Sequence, residues 1–533
     1  MASAWLPPVL PWSPTDKSSF AYQSVAHRWP TIITSAIDSL YQASYALSYS
    51  SNRILAEKKT AEAKIIIERL SKLKHDMGRD RPLEVIGNDG GDVTDDYDRI
   101  VKSNEWTWFT APWLFAECYL YRLLRSFFAR SQHWQQYDPF SAQKVKTFQS
   151  SGTAIEQLSS AVEDLIQKAK AFTDRSKSSL EGLQVIFREL VQTSLWGNAT
   201  DLSLLTNLTH ADIQHLQAGG IGAEAQSKRQ QFILSDLQNI DEAWNAIVQA
   251  GPSSRIDIIL DNSGFELFTD LLLADFILST GLIDKIVFHP KDMPWFVSDV
   301  TPADFIFTIE ALQSKSFFLL NSGKAKKVQD EKNNHEASQL DNNYFLDARS
   351  RSVSPSRSFV MDSNSVLSLA QNKDESNSSN SATQRLASKW AAYLEKGRFE
   401  LSIPSHIPLG GLASLHDTTQ ADFWTSYHNY PSLPLAAPTL FQYLQGSGLV
   451  ISKGDLNYRK WCSDACWSFS EPFVNVLGPV KGTLNLLVLR TNKADVCVGV
   501  PKERVATLQQ EDKQWRTNGK YAMVEFVAKE SAK

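Results

Sequence analysis

RIDIILDNSGFELFTDLLLADFILSTGLIDKIVFHP (residues 255–290) carries the fold in the order of its elements. RIDIIL is a short apolar run rich in β-branched residues, which suit an extended strand. It stops at DNSG, a turn-forming cluster. LFTDLLLADFILS follows as a helix and ends at Gly281. KIVFHP is a second strand-like run, and Thr301-Pro302-Ala303-Asp304 then reads as a capping box ahead of FIFTIEALQ. Strand, helix, strand, helix is the order of an α/β protein with a parallel sheet. GLVIS (Gly448–Ser452), LNLLVL (Leu484–Leu489) and MVEFVA near the C-terminus add further strands.

Upstream the texture is helical. Apolar residues recur at three and four from about Thr31 to His75. Thr110–Phe128 reads as a buried helix with Pro112 in its first turn, and residues 151–250 continue helical. The expected organisation is an irregular arm at 1–20, a helical region at 21–250 and an α/β unit at 251–320 and 384–533. The stretch 321–383 between them is rich in Ser, Asn, Lys and Asp and reads as a disordered insertion. Within it, Ser354-Pro355 flanked by arginines is a candidate kinase site, although a solvated loop without regulation accounts for it as well.

Composition narrows the function. The 533 residues hold 54 Lys and Arg against 59 Asp and Glu, a net charge of −5, which argues against a general nucleic-acid binder. Four cysteines are too few for a disulfide scaffold of this length, so a reducing compartment is expected: the cytoplasm, with the nucleus as the alternative. The N-terminus lacks the features of a signal peptide, and no apolar stretch is long enough to span a membrane. P-loop, nucleophile-elbow, zincin and dinucleotide fingerprints are all absent. Cys462 and Cys466 lack a second ligand pair and read as packing groups on one helix face.

Four apolar runs end in polar residues: Asp261-Asn262, His289-Pro290-Lys291, Lys453-Gly454-Asp455 and Arg490-Thr491-Asn492-Lys493. In an open parallel sheet, sites lie beyond the carboxyl ends of the strands, so neighbouring strands would bring these tips together. Asp261 and Asn262 offer oxygen donors suited to hard divalent cations. On the dipeptide alone an Asx-turn is the favoured reading, and Asp299 could be no more than a helix-start partner. Lys453, Arg459, Arg490 and Lys493 could hold a phosphate, or be solvated charges.

Several segments together resemble one family. They are SFAYQSVAHRWP, WFTAPWLFAECYLYR, LWGNATDLSLL, LDNSGFELFTDLLLADFIL, VFHPKDMPWFVSDVTPADF, LVISKGDLNYRKW and LRTNK, in order from Ser19 to Lys493. The chain is similar to the metal-dependent damage-control phosphatases, in the subfamily also called acidic-residue methyltransferase-like, which carries an Arg-Thr-x-Lys signature. The resemblance implies a helical region packed on an α/β/α sandwich with a largely parallel central sheet. It implies Asp261, Asn262 and Asp299 as metal ligands, which would also be the catalytic residues. It places Asp261, Asn262, Asp455, Leu456, Asn457, Tyr458, Arg459 and Lys493 at the substrate, and puts Glu117, Asn198 and Asp201 in matching segments.

The activity implied is hydrolysis of sugar phosphates such as fructose 1-phosphate and fructose 6-phosphate. Mn²⁺ or Ni²⁺ is the implied cofactor, with Mg²⁺ or Co²⁺ as alternatives. A small-molecule sugar phosphate is the implied partner, with no nucleic acid and no membrane. Water, rather than Asp261, is the expected nucleophile. The competing activity is S-adenosylmethionine-dependent methylation of protein glutamate carboxyls, which would call for an adenosine pocket where this chain has Asp, Asn and Lys.

Overall fold

The computed structural model describes residues 4–90, 93–169, 176–197, 231–318, 380–410 and 420–530. The expected insertion lies outside the described residues as far as 379, as does Ser354-Pro355. The described chain resumes at Asn380. Ser381 caps the Ala382–Glu395 helix through a capping box with Gln384.

The α/β unit is built on a six-stranded sheet of order β3-β2-β1-β4-β5-β6. The strands are β1 (Arg255–Ile259), β2 (Lys285–His289), β3 (Phe399–Leu401), β4 (Leu449–Lys453), β5 (Leu486–Thr491) and β6 (Ala522–Val527). All neighbouring pairs are parallel except β5 with β6. The four tips expected to converge belong to β2, β1, β4 and β5, which are consecutive in the sheet. β3 escapes sequence reading because it has only three residues and no alternation to detect.

Side chains alternate between two cores. Leu449 and Ile451 of β4, with Leu487 and Leu489 of β5, face a core shared with the Phe265–Ser279, Pro302–Gln313 and Ala382–Glu395 helices. Val450, Leu486 and Val488 face the opposite core, shared with Tyr458, Leu440 and Leu508. Helices therefore cover both faces, the arrangement in which parallel sheets are stable. The Phe265–Ser279 helix is buried almost all round. Its acids are matched: Lys453 bonds Glu266 and Asp270, and Lys389 pairs with Asp275.

Local chemistry moves several expected boundaries. The helical stretch at 31–75 is two helices, Trp29–Ala46 and Arg53–Gly78. They are divided at a Ser- and Asn-rich turn where Asn52 caps the second. The Thr110–Phe128 helix starts at Trp113, with Pro112 at its N-cap. Beyond Gly454, Asp455–Trp461 is a short, fully buried helix. The cysteine expectation is corrected with it. Cys462 is buried at that helix's end, but Cys466 lies beyond it and is exposed, so the two share no helix face. The 151–250 region contains the Gly152–Ala169, Lys177–Gly197 and Gln238–Ala250 helices among its described residues.

A third core fills the helical region and reaches into the α/β unit. It packs Trp29, Leu70, Trp113 and Tyr121 with Met293, Trp295, Phe296, Leu456 and Ala494 from the strand-end loops. The arm is tied across this junction. Trp12 donates its N–H to the Asp464 carbonyl at 2.9 Å and accepts from the Trp113 N–H at 2.9 Å. No helix among the described residues is long and apolar enough to cross a membrane.

One buried acid makes stability pH-dependent. Burial pushes the Glu525 carboxyl on β6 up to about 8. Between its ordinary value and about pH 8 the native state keeps a proton that the unfolded chain has lost. Raising the pH through that window therefore favours unfolding, by at most about 1.4 kcal/mol per unit. Glu525→Gln is expected to raise the thermal midpoint at pH 8.5 and to leave it nearly unchanged at pH 5. An equal effect at both values would contradict this.

Candidate active site

β1 leads through Leu260 into Asp261 and Asn262, and the chain returns beside them at Asp299. Asn262 and Asp299 pair in an isolated antiparallel bridge, which brings Cα atoms to within about 5.5 Å. Val300 donates its N–H to the Asp261 carbonyl at 2.8 Å, and Ser263 to that of Ser298 at 2.7 Å. All three candidate ligands are buried. Among the described residues no group of three His, Cys, Asp or Glu side chains could hold a metal ion. The oxygen set here is two carboxylates and an amide, which suits a hard divalent cation.

The neighbouring side chains orient that set. Asn262 Nδ2 donates to Asp261 Oδ2 at 2.9 Å and to Glu266 Oε2 at 2.8 Å, and Ser298 donates to Asn262 Oδ1. Glu266 Oε1 in turn accepts from Lys453 Nζ at 3.0 Å. Burial pushes the nearby Asp270 carboxyl up to about 6, against the pull of Lys453. Lys291 Nζ stands 3.7 Å from Asp299 Oδ2 and donates to the Leu260 carbonyl at 3.0 Å. The loop before Asp299 is strained: Phe296 and Val297 have φ of 45° and 70°, and a β-branched residue rarely adopts the left-handed region. Tyr121 stacks on Phe296 at 4.8 Å and helps hold it.

Across from these groups, β4 ends in Lys453 and Gly454, and the Asp455–Trp461 helix begins. Gly454 has φ of +90°, and a Cβ there would lie 1.8 Å from Asp261 Oδ2. Glycine is what lets the two strand tips meet. Asp455 Oδ1 accepts from Arg490 Nε at 2.7 Å and from the Lys493 N–H at 3.0 Å. Arg490 also donates to the Val496 and Ala494 carbonyls. The Arg-Thr-x-Lys segment is thereby folded over Asp455, with Arg490 as its internal tie.

The remaining helix side chains are largely consumed by the fold. Asn457 Nδ2 donates to the Lys453 and Leu260 carbonyls at 2.6 and 3.2 Å, and its Oδ1 accepts from Lys291 and Tyr430, which fills the amide's capacity. Tyr458 exchanges hydrogen bonds with Val498 N and O, and Leu456 packs in the third core. Arg459 donates to Glu117 Oε2 at 2.6 Å and to both Asp464 oxygens at 3.1 and 2.9 Å, with Trp113 stacked 3.7 Å beneath it. Burial alone would push the guanidinium down, but Asp464 and Glu117 outweigh it and hold it charged. Glu117 is also bonded by Arg28 and Trp29.

A model of the ARMT1-like damage-control phosphatase domain matches residues 24–350 and 393–508. The chain belongs to the ARMT1-like damage-control phosphatase family. It is 30% identical over 526 residues to damage-control phosphatase ARMT1 of Danio rerio, covering 96% of this chain and 95% of that one. It is 30% identical to the Mus musculus protein of that name (96% and 97%) and 27% identical to the Homo sapiens one (96% and 97%). Membership makes this chain a phosphatase, a phosphoric monoester hydrolase.

The family match encloses every candidate metal and substrate residue given above. The structure brings Asp261, Asn262 and Asp299 together, and sets Asp455, Arg490 and the Lys493 backbone in one bonded group. Asn198 and Asp201 lie outside the described residues. Sequence reasoning gave no role to Ser298 or Glu266. Only Ser298 left a local signal, as the neighbour of Asp299.

Proposed function

We propose that this phosphatase is metal-dependent and hydrolyses sugar phosphates such as fructose 1-phosphate and fructose 6-phosphate, using Mn²⁺ or Ni²⁺. The observation that carries the reading is the juxtaposition at Gly454, where the oxygen set of β1 abuts the strand tips that carry Asp455, Arg490 and Lys493. One side supplies oxygen donors for a metal and the other carries Lys493 as the cation for the phosphate, the two requirements of phosphoryl transfer.

Asp261, Asn262 and Asp299 would hold one divalent ion. Such an ion, when bound, supplies Lewis acidity toward a phosphoryl oxygen. Lys493 offsets negative charge on the phosphate. Asp455 is an acceptor for a sugar hydroxyl, and Arg490 holds its carboxylate in place through Nε. Arg459 commits three N–H groups to Glu117 and Asp464 and has donors left for a phosphate oxygen. Water is the nucleophile in this proposal, since the Asp261 carboxylate is wedged against Gly454 and bonded by Asn262. Trapping a phosphorylated Asp261 would overturn that part.

The test is phosphate release from both fructose phosphates with Mn²⁺, Ni²⁺, Co²⁺ or Mg²⁺. Activity should vanish with chelator, return with metal, and fall roughly a thousandfold or more in Asp261→Ala, the loss of several kcal/mol of transition-state stabilisation. Folded protein that binds the methyl donor and releases no phosphate with any metal would favour the methyltransferase reading instead.

A further inference from the structure

Asp299 is gripped from the helical region. Lys144 lies on the Ser141–Ser150 helix, and its ammonium is buried. It bonds Asp138 Oδ2 at 3.1 Å, Asp304 Oδ2 at 2.8 Å and the backbone carbonyl of Asp299 at 3.1 Å. These three bonds use every donor an ammonium has. Burial would push its pKa down, but Asp138 and Asp304 outweigh that, so the group stays charged.

Each partner is itself anchored. Asp304 accepts from the Thr301 N–H at 2.9 Å and from its hydroxyl at 2.7 Å, closing the capping box of the Pro302–Gln313 helix. Asp138 accepts from the Phe140 N–H at 2.8 Å. Lys144 therefore joins the Asp299 carbonyl to a helix start on one side and to the helical region on the other. The chain before Asp299 passes through the positive φ of Phe296 and Val297, a conformation that persists only when its surroundings enforce it.

We infer that Lys144 is a positioning residue: through the Asp299 carbonyl and Asp304 it sets where the Asp299 carboxylate stands against Asp261 and Asn262, and so sets the divalent-metal affinity of the site. The inference rests on the reading of Asp299 as a metal ligand. It makes the helical region a determinant of metal binding as well as a cover for the sheet.

Mn²⁺ binding is measured directly on the full-length chain, by the resonance signal of free Mn²⁺, for wild type, Lys144→Met, Lys144→Arg and Asp138→Asn. Thermal midpoints are recorded alongside. Lys144→Met should weaken binding roughly 10–100-fold, the usual cost of losing a group that orients a ligand. Asp138→Asn should weaken it less and Lys144→Arg should recover part of it. Lys389→Met, which breaks the remote pair with Asp275, should lower the midpoint and leave binding alone. Folded Lys144 and Asp138 variants that bind Mn²⁺ within about twofold of wild type would overturn the proposal, whatever their midpoints. If Lys144→Met does not fold, Lys144→Arg and Asp138→Asn decide it. Wild-type protein that binds no Mn²⁺ would overturn the metal reading, and this inference with it.

Discussion

Gly454→Ala is expected to lower phosphate release by at least about a hundredfold, the scale of loss when a catalytic group is misplaced by about 1 Å. Two effects act at this position. Its φ of +90° and ψ of 175° lie in a region that is essentially glycine-only, worth about 1–3 kcal/mol of strain for alanine. The added Cβ would also stand 1.8, 2.0 and 2.6 Å from Oδ2, Cγ and Cβ of Asp261. Asp261 is a short side chain whose backbone carbonyl is bonded by Val300, so it has little room to retreat. Either its carboxylate leaves the Asn262–Asp299 group or the β4 tip moves and takes Asp455 with it. Steady-state phosphate release with saturating metal reads the loss, and the thermal midpoint reads the strain. A variant that is strained yet retains activity within a few-fold of wild type would show that the Asp261 position is not what catalysis depends on.

Arg459→Met is expected to cost about 3–5 kcal/mol of stability, because it leaves the Asp464 and Glu117 carboxylates buried beside an apolar side chain. Asp464 bears most of this: burial already pushes its pKa up, and Arg459 is the pull against it. Glu117 keeps Arg28. Adding Asp464→Asn should therefore return part of the stability, and a double-mutant cycle by denaturant unfolding measures the coupling. Arg459→Lys should not rescue, since an ammonium cannot reproduce the fork across both Asp464 oxygens while also reaching Glu117 and stacking on Trp113. A loss below about 1 kcal/mol in Arg459→Met would place this cluster with exposed ion pairs of little net worth.

The two predictions separate roles that the sequence presents alike. KGDLNYRK offers a row of polar residues at a strand end, and each could touch a substrate. Folded, Asn457 is the tie between β1, β4, Lys291 and Tyr430. Tyr458 locks the Val498 backbone, and Leu456 is core. Arg459 is held in the Glu117–Asp464 cluster, and Asp455 stays at the strand tips, bonded by Arg490 and the Lys493 N–H. Likewise Arg490, a candidate phosphate cation on composition, commits three N–H groups to Asp455 and two carbonyls.

The features legible before folding were local ones. RIDIIL followed by DNSG gives a strand and a turn, and Thr301 with Asp304 gives a helix start, because each rests on propensity and hydrogen bonds within a few residues. The order of these elements was enough for a largely parallel α/β sheet. Which side chains remain available at that site was not legible. Lys144 reaches Asp299 across 155 positions, Arg459 reaches Glu117 across 342, and Gly454 meets Asp261 across the sheet. A buried polar group takes whatever partner packing brings to it, and it must take one, because burying it unbonded costs more than the bond returns. Those pairings belong to the packed layers, and they settle which polar residues the fold consumes and which it leaves for chemistry.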